Sequence, residues 1–316
     1  WAASEPVPSA LSAQTLRLPD GPGSVRGLGD AVTVDGFSAQ VQYTVPFELP
    51  GGHAGFAPGL GLSYSGELGN GPVGVGWTLP VMSVRRSLRL GVPAYAATDE
   101  LELVGIAGGG RLVPVGDGTW RLEGRGQQVK VEVSGSGYVV TENGGTQYRL
   151  GTTGGARQES GTQVAAWYAE EVLHPAGHRI GLTYVKDGEQ VYPAGMAWGP
   201  TDAFQVEFVY EVRPDAVVGY RTGFGVTTGK RLSSVKVKSF GEVLRTYELT
   251  YDNSFALSRL SKVKMTGRGG VGALPELSFS YAQPLSEQVV QQTGVDGWVL
   301  NTRGVNLIDI DGDGMS

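Results

Sequence analysis

Residues 230–251, KRLSSVKVKSFGEVLRTYELTY, alternate apolar and polar side chains on either side of a Gly-Glu pair. Alternation with period two marks a half-buried β-strand. The stretch therefore reads as a hairpin, with strands over 230–240 and 243–251 and a turn at Gly241-Glu242. Val235 and Val237, with Leu244, Tyr247 and Leu249, supply one packed side. Lys236, Lys238, Arg245 and Glu248 sit among them and suit a sheet that is partly solvated.

The pattern recurs along the chain. It predicts strands over 39–45, 59–64, 81–88, 100–104, 111–115, 119–123, 128–133, 138–142, 146–150, 165–173, 178–185, 204–211, 257–265 and 275–281. Turn signals stand between them: Gly116-Asp117-Gly118, Gly135-Ser136-Gly137, Asn143-Gly144-Gly145 and Asp187-Gly188. Asn-Gly and Asp-Gly favour the positive φ that closes tight hairpins. Short strands at regular spacing predict an all-β chain, built as an extended antiparallel sheet, a sandwich or a barrel. One helical turn is expected within 253–260.

Composition agrees. The chain has 316 residues, 51 of them Gly, where average usage is about 7%. Each Gly in a helix interior costs about 1 kcal/mol relative to Ala, so a mainly helical protein is excluded. No Gly-X-Y period marks collagen, and recurring Val, Leu, Tyr, Trp and Phe exclude a disordered chain. The formal net charge of −6 argues against nucleic acid, which requires a basic face. No apolar run approaches the roughly 18 residues of a membrane span. With no cysteine, disulfides, thiolate metal sites and Cys nucleophiles are excluded. The first residue is Trp rather than Met and residues 1–10 lack signal-peptide features, so the chain is expected to be part of a longer product.

The organisation reads as a tail over 1–16, a main β module over 17–284 and a further segment over 285–316, with the polar stretch PLSEQVVQQTG at the boundary. That last segment carries the strongest local motif. Asp309, Asp311 and Asp313 alternate, with Gly312 and Gly314 letting the loop curl. Such carboxylates, with the Met315 backbone carbonyl, suit Ca²⁺, which takes six to eight oxygens.

Other motifs have plainer readings. His174 and His178 are spaced i, i+4, but Pro175 and Gly177 between them make a turn, and two His at that spacing converge only on a helix. His53 lies alone in a Gly-rich loop. Gly69-Asn70-Gly71-Pro72-Val73-Gly74 satisfies GxGxxG, yet Val75-Gly76-Trp77-Thr78-Leu79-Pro80 cannot open the helix a dinucleotide site needs. It reads instead as a tight loop anchored by a buried Trp77. Glu100 and Glu102 share one face of a strand whose other face is packed by Leu101. They resemble the paired-glutamate turn of ADP-ribosyltransferases, without that fold's preceding strands. Gly61-Leu62-Ser63-Tyr64-Ser65 fails the last position of a GxSxG elbow.

Residues 51–80, GGHAGFAPGLGLSYSGELGNGPVGVGWTLP, resemble the N-terminal module of SpvB/TcB-type toxin proteins. The match runs through Leu62, Ser63, Tyr64, Gly69, Asn70, Gly71, Pro72, Gly74, Gly76 and Trp77, of which Gly69, Gly71, Gly74, Gly76 and Trp77 form the structural loop. Gly27-Leu28-Gly29, residues 245–251 (RTYELTY), 260–263 (LSKV) and 274–281 (LPELSFSY) extend it. Residues 174–184, HPAGHRIGLTY, are similar to a YD/RHS repeat, with His174 and His178 in place of the usual Asp and Asn. The C-terminal DxDGDG resembles the opening of an FG-GAP/VCBS-type β-propeller repeat.

This resemblance implies a non-catalytic wall segment of a hollow β-shell, followed by a propeller, in a toxin or RHS-like protein that is secreted or at the bacterial surface. It implies as partners the rest of the same chain, a C-terminal toxic cargo and a TcA-like translocation component. Any ADP-ribosyltransferase is expected beyond Ser316. The alternative is a surface adhesion or carbohydrate-binding β-protein that uses a calcium propeller, with Trp120, Trp167, Trp198 and Trp298 as its exposed aromatics.

Overall fold

The computed structural model describes residues 33–34, 41–106, 108–125 and 128–281. Among them there is no α-helix, only strands, turns and four short 3₁₀ turns. All the contacts that follow lie within the compact unit that ends at Phe279.

One sheet of sixteen strands dominates. Its first half is closed. The strands Ser83–Arg86, Leu101–Val104, Gly110–Gly116, Thr119–Leu122, Val129–Ser134, Gly137–Glu142 and Gln147–Leu150 pair in sequence order. Gln163–Leu173 then pairs with both ends of that series: Trp167 with Val84, and Tyr148 with Val172. The result is an eight-stranded antiparallel barrel, a closure that removes unpaired sheet edges. Each of its strands sends at least one side chain inward. Val84, Leu101, Leu112, Leu122, Val131, Val140, Leu150 and Trp167 meet in one buried cluster. Gly151 holds φ +60°, and an added Cβ there would run into the Trp167 side chain, so it permits the indole at the seam.

The second half is an open meander. From Gln163–Leu173 it continues through Arg179–Asp187, Gln190–Trp198, Phe204–Gly219, Val226–Ser239, Glu242–Asp252, Arg259–Thr266 and Leu277–Ser278. A four-stranded sheet of Thr33–Val34, Val41–Pro46, Gly61–Ser65 and Trp77–Thr78 belongs to the same unit. Its side chains Val45, Phe47, Leu62 and Trp77 join Trp198, Phe208, Leu232, Val235, Val237, Tyr247, Leu260 and Val263 in a second core. Polar bonds fix that packing. Tyr247 Oη accepts from the Glu48 amide (2.8 Å), and Trp198 Nε1 donates to the Pro50 carbonyl (3.2 Å).

The hairpin of residues 230–251 forms, with two corrections. Its turn is Phe240-Gly241, because Ser239 pairs with Glu242 and both turn residues take positive φ (48° and 83°). Leu244 is the extra residue of a β-bulge, since Val237 pairs with Arg245 and Lys238 with Val243. Lying an odd number of residues from buried Tyr247 and Leu249, it is already out of step with them by the period of the strand. The helical turn expected within 253–260 is absent; residues 253–258 form an irregular connection. The strand Gln190–Trp198 lacked a clear signal because Pro193 and Gly195 interrupt it. Pro193 lies beside a bulge, where the register steps past Ala194, the setting in which strands tolerate proline.

Two separate cores make a stability test. Leu150→Ala in the barrel and Leu232→Ala in the meander, both fully buried, are each expected to cost about 2–5 kcal/mol in urea unfolding. The double variant should equal the sum to within about 0.5 kcal/mol. Strong non-additivity would mean that the two clusters act as one core.

Candidate functional site

The loop that carries the most specific sequence signal lies between the strands Gly61–Ser65 and Trp77–Thr78. Within it, Asn70–Gly71 and Gly74–Val75 pair as a miniature ribbon. Trp77, 2% exposed, closes the loop from below. Its ring packs against Tyr43, Tyr64 and Phe279, with centroids 6.3, 5.3 and 4.7 Å away. The four glycines differ in what they do. Gly74 and Gly76 hold φ of +87° and +77°, where side chains other than Gly are strained. A Cβ on Gly74 would stand 2.7 Å from the Ser258 carbonyl oxygen, and one on Gly76 would enter the Tyr64 ring. Gly69 faces open space, and Gly71 has its nearest neighbour at an ordinary 3.7 Å.

The loop is pinned by a polar network that sequence reading missed. The strand Phe204–Gly219 bulges between Val212 and Val217, and the bulge presents Arg213-Pro214-Asp215. Arg213, with no exposed side-chain surface, is ion-paired to Asp215 at 2.8 Å. Its Nη1 donates to the Gly71 carbonyl (2.9 Å), and its Nη2 donates to Asn70 Oδ1. Asn70 Nδ2 donates back to Asp215 (2.9 Å), and the Ser258 amide and hydroxyl donate to the same carboxylate at 2.6 Å each. Burial alone would raise the Asp215 pKa. The bonds from Arg213, Ser258 and Asn70 overcome that and hold the carboxyl well below the usual carboxylate range.

A second buried cation extends the network. Arg231 donates to Glu211 (2.7 Å), Asn253 (2.7 Å) and the Ser258 hydroxyl (2.8 Å), and its guanidinium lies 4.4 Å from the Tyr251 ring centroid. The Val75 amide and the Leu232 amide complete the seam, donating to the carbonyls of Ser258 and Pro72. The arrangement is a structural lock joining the loop, the bulge and the 253–258 connection. Pro214 was the available signal, since a proline inside a strand marks a bulge or an edge.

The remaining candidates are placed as follows. Glu100 and Glu102 stand opposite the buried Leu101 and Leu103 and are occupied by arginines: Glu100 by Arg89 and Arg111, Glu102 by Arg85. His174 and His178 flank a turn, the His174 amide donating to the His178 carbonyl (2.8 Å). His53 joins them across the fold, its ring 5.0 Å from that of His178, and Phe56 packs on both His174 and His178. His174 and His178 lie nearly parallel (18°). No group of three or more His, Asp or Glu side chains among the described residues is arranged to hold a metal ion. Asp309, Asp311, Asp313 and Met315 lie outside the described residues, as do the 1–16 tail, Gly27-Leu28-Gly29 and Trp298.

The lock is testable. Asp215→Asn leaves Arg213 buried without its counter-charge and should cost about 3–5 kcal/mol. Gly74→Ala and Gly76→Ala should each destabilise far more than Gly69→Ala or Gly71→Ala in thermal unfolding. A depressed carboxylate stabilises above its unfolded pKa of about 3.9. The Asp215 contribution should therefore be full at neutral pH and fall away progressively below about pH 4. A stability profile whose acid limb is the same in Asp215→Asn would refute this assignment.

Comparison with known proteins places this loop. Residues 35–143 match the family described as SpvB, Salmonella virulence plasmid 65kDa B protein. Mono(ADP-ribosyl)transferase SpvB of Salmonella choleraesuis (strain SC-B67) is 29% identical over 214 residues, covering 58% of this chain and 36% of the relative. The protein of the same name from Salmonella enteritidis gives the same figures. The chain thus spans about a third of the length of these curated relatives. Among solved structures, the crystal structure of TcdB2-TccC3-TEV superposes with a TM-score of 0.72 at 22% identity, over 84% of this chain and 17% of that one. The N-terminal domain of effector protein SpvB from Salmonella typhimurium strain LT2 gives 0.62 at 22% identity, over 71% of this chain and 98% of that domain. The family match over the pinned loop and the fold shared across the sheet together support an N-terminal module of the SpvB/Tc type.

Proposed function

We propose that this module is a non-catalytic wall segment of a secreted toxin or RHS-like protein, whose larger β-shell encloses a C-terminal toxic cargo for delivery. One observation carries the reading: the large sheet is closed at one end and open at the other. The strand Arg259–Thr266 pairs with Glu242–Asp252, whereas its far edge carries, among the described residues, only the two-residue strand Leu277–Ser278 and a bridge from Thr266 to Ala273. An unpaired edge is a template for further strands, which is what a wall continued by the rest of its chain requires.

The meander face opposite the core fits the same role. Gln205, Glu207, Lys236, Lys238, Thr246, Glu248 and Lys264 alternate with the buried residues. Their charges offset one another: Lys238 is ion-paired to Glu207 at 2.5 Å and, as the largest cause, lowers the Glu207 pKa. A balanced polar face offers no apolar surface on which an unfolded polypeptide would adhere. The carbohydrate-binding alternative draws no support from Trp120, Trp167 or Trp198, the three of its tryptophans among the described residues. Trp167 and Trp198 are buried, and Trp120 packs on Tyr138. The family-level reading also holds that partners include a translocation component, that any ADP-ribosyltransferase lies past Ser316, and that Asp309, Asp311, Asp313 and the Met315 carbonyl begin a Ca²⁺ loop.

The test uses the full-length parent protein. Limited proteolysis should leave its C-terminal segment intact, and the lock-breaking Asp215→Asn should expose that segment to cleavage. A C-terminal segment cut equally fast when freed and when in the parent would overturn the shell reading. For the calcium loop, a chain continuing past Ser316 should gain thermal stability with added Ca²⁺ by mass action. No shift at millimolar concentrations would count against it.

A further inference from the structure

We propose that Asn143 is a site of spontaneous covalent modification, its side-chain amide lost through attack by the Gly144 backbone nitrogen, and that the lock shields the same step at Asn70. An Asn-Gly pair hinders this attack least, because the residue that follows brings no side chain beside its own amide. The described residues contain the pair twice, at Asn70-Gly71 and Asn143-Gly144. In the reaction the Gly nitrogen bonds to the Asn Cγ and ammonia leaves, taking the proton of the Gly amide. Water then opens the five-membered imide at either carbonyl. The product is aspartate, or its isomer with the main chain routed through the β-carbon, and a neutral side chain becomes a carboxylate.

The fold treats the two pairs differently. Asn143 and Gly144 are exposed at the tip of the turn between the strands Gly137–Glu142 and Gln147–Leu150. The bonds of that turn leave the attacking group out. The amides of Asn143 and Gly145 donate to the carbonyls of Gln128 and Glu142 (2.8 Å each), and among the described residues none holds the Gly144 amide or the Asn143 side chain. A Cβ on Gly144 would meet nothing within 4 Å, so the peptide plane there has room to turn toward the side chain. Asn70, by contrast, is held at both ends of its side-chain amide: Oδ1 accepts from Arg213, and Nδ2 donates to Asp215 (2.9 Å). The Gly71 amide donates to the Gly69 carbonyl (3.1 Å), and the Gly71 carbonyl accepts from Arg213 (2.9 Å). Bringing the Asn70 Cγ onto the Gly71 nitrogen means breaking bonds to a buried ion pair, a local opening that costs free energy before attack can begin.

Peptide mapping by mass spectrometry tests this on the full-length parent protein, kept folded at mildly alkaline pH and sampled over time. Asn143 should gain about 1 Da and yield isoaspartate, at least about tenfold faster than Asn70. In urea, where the fold no longer distinguishes the two pairs, their rates should come within about threefold of each other. Gly144→Ala, whose methyl fits the open space but crowds the attacking nitrogen, should slow the reaction at Asn143 by about tenfold or more. Asp215→Asn, which breaks the lock, should speed the reaction at Asn70. Asn143 left unmodified in the folded protein, or Asn70 modified there as fast as Asn143, would overturn the proposal. A rate at Asn70 indifferent to Asp215→Asn would equally overturn it.

Discussion

One strand, Gln163–Leu173, has to satisfy the closed and the open half of the main sheet at once. At Ala166 and Trp167 its neighbours are Arg157–Ser160 and Ser83–Arg86; at Glu171–Leu173 they are Gln147–Leu150 and Arg179–Asp187. The exchange of neighbours along eleven residues closes the barrel and launches the meander. The pleat sorts its side chains accordingly. Trp167 and Ala169 enter the barrel core, while Val172, an odd number of residues away from each, packs against the other core. A strand in a plain meander would keep one neighbour on each edge and could not close the barrel. The seam is further held by Trp167 Nε1 donating to the Ser136 carbonyl (3.1 Å) and the Gly151 amide donating to the Tyr168 carbonyl (2.9 Å).

The pinned loop answers a different requirement. The 41–80 segment is far in sequence from the meander it covers, and apolar contact alone is non-directional. Arg213 and Asp215 supply direction. Burying two charges costs several kcal/mol per ion even after relaxation, and the pair stays favourable only when its remaining hydrogen bonds are satisfied. Here they are: Asn70, Gly71 and Ser258 complete the set from two other segments. A hydrophobic patch of equal area would tolerate sliding of the loop, whereas this set of bonds fits one register.

The sequence made the alternating parts legible and left the interruptions obscure. The hairpins Val129–Ser134 with Gly137–Glu142, and Val226–Ser239 with Glu242–Asp252, follow from period-two patterns with turn residues between. The loop from Gly69 to Trp77 was visible as a motif, and its partners were not. Arg213, Asp215, Ser258 and Arg231 carry no mutual spacing, because a tertiary bulge brings them together. Pro193 and Pro214 look like strand breakers, yet both lie at bulges inside long strands. The convergence of His53 with His174 and His178 was likewise invisible, since it depends on how the 52–56 segment crosses the sheet. Barrel closure itself is a property of which strands pair, and that is not encoded in the period of any one of them.

The absence of cysteine makes closure the chief source of rigidity. A disulfide works mainly by limiting the unfolded chain, and here the same constraint must come from pairing distant strands. The barrel achieves it by returning Gln163–Leu173 to Ser83–Arg86, a contact across some eighty residues of sequence. Among the described residues the meander has no such return: the far edge of its last long strand, Arg259–Thr266, carries the short strand Leu277–Ser278 and a bridge from Thr266 to Ala273. The sheet therefore closes on itself at one end, while at the other its described residues finish on a two-residue edge strand. For a free-standing domain that edge is a liability. In the proposed wall segment, that edge is the joint to further strands.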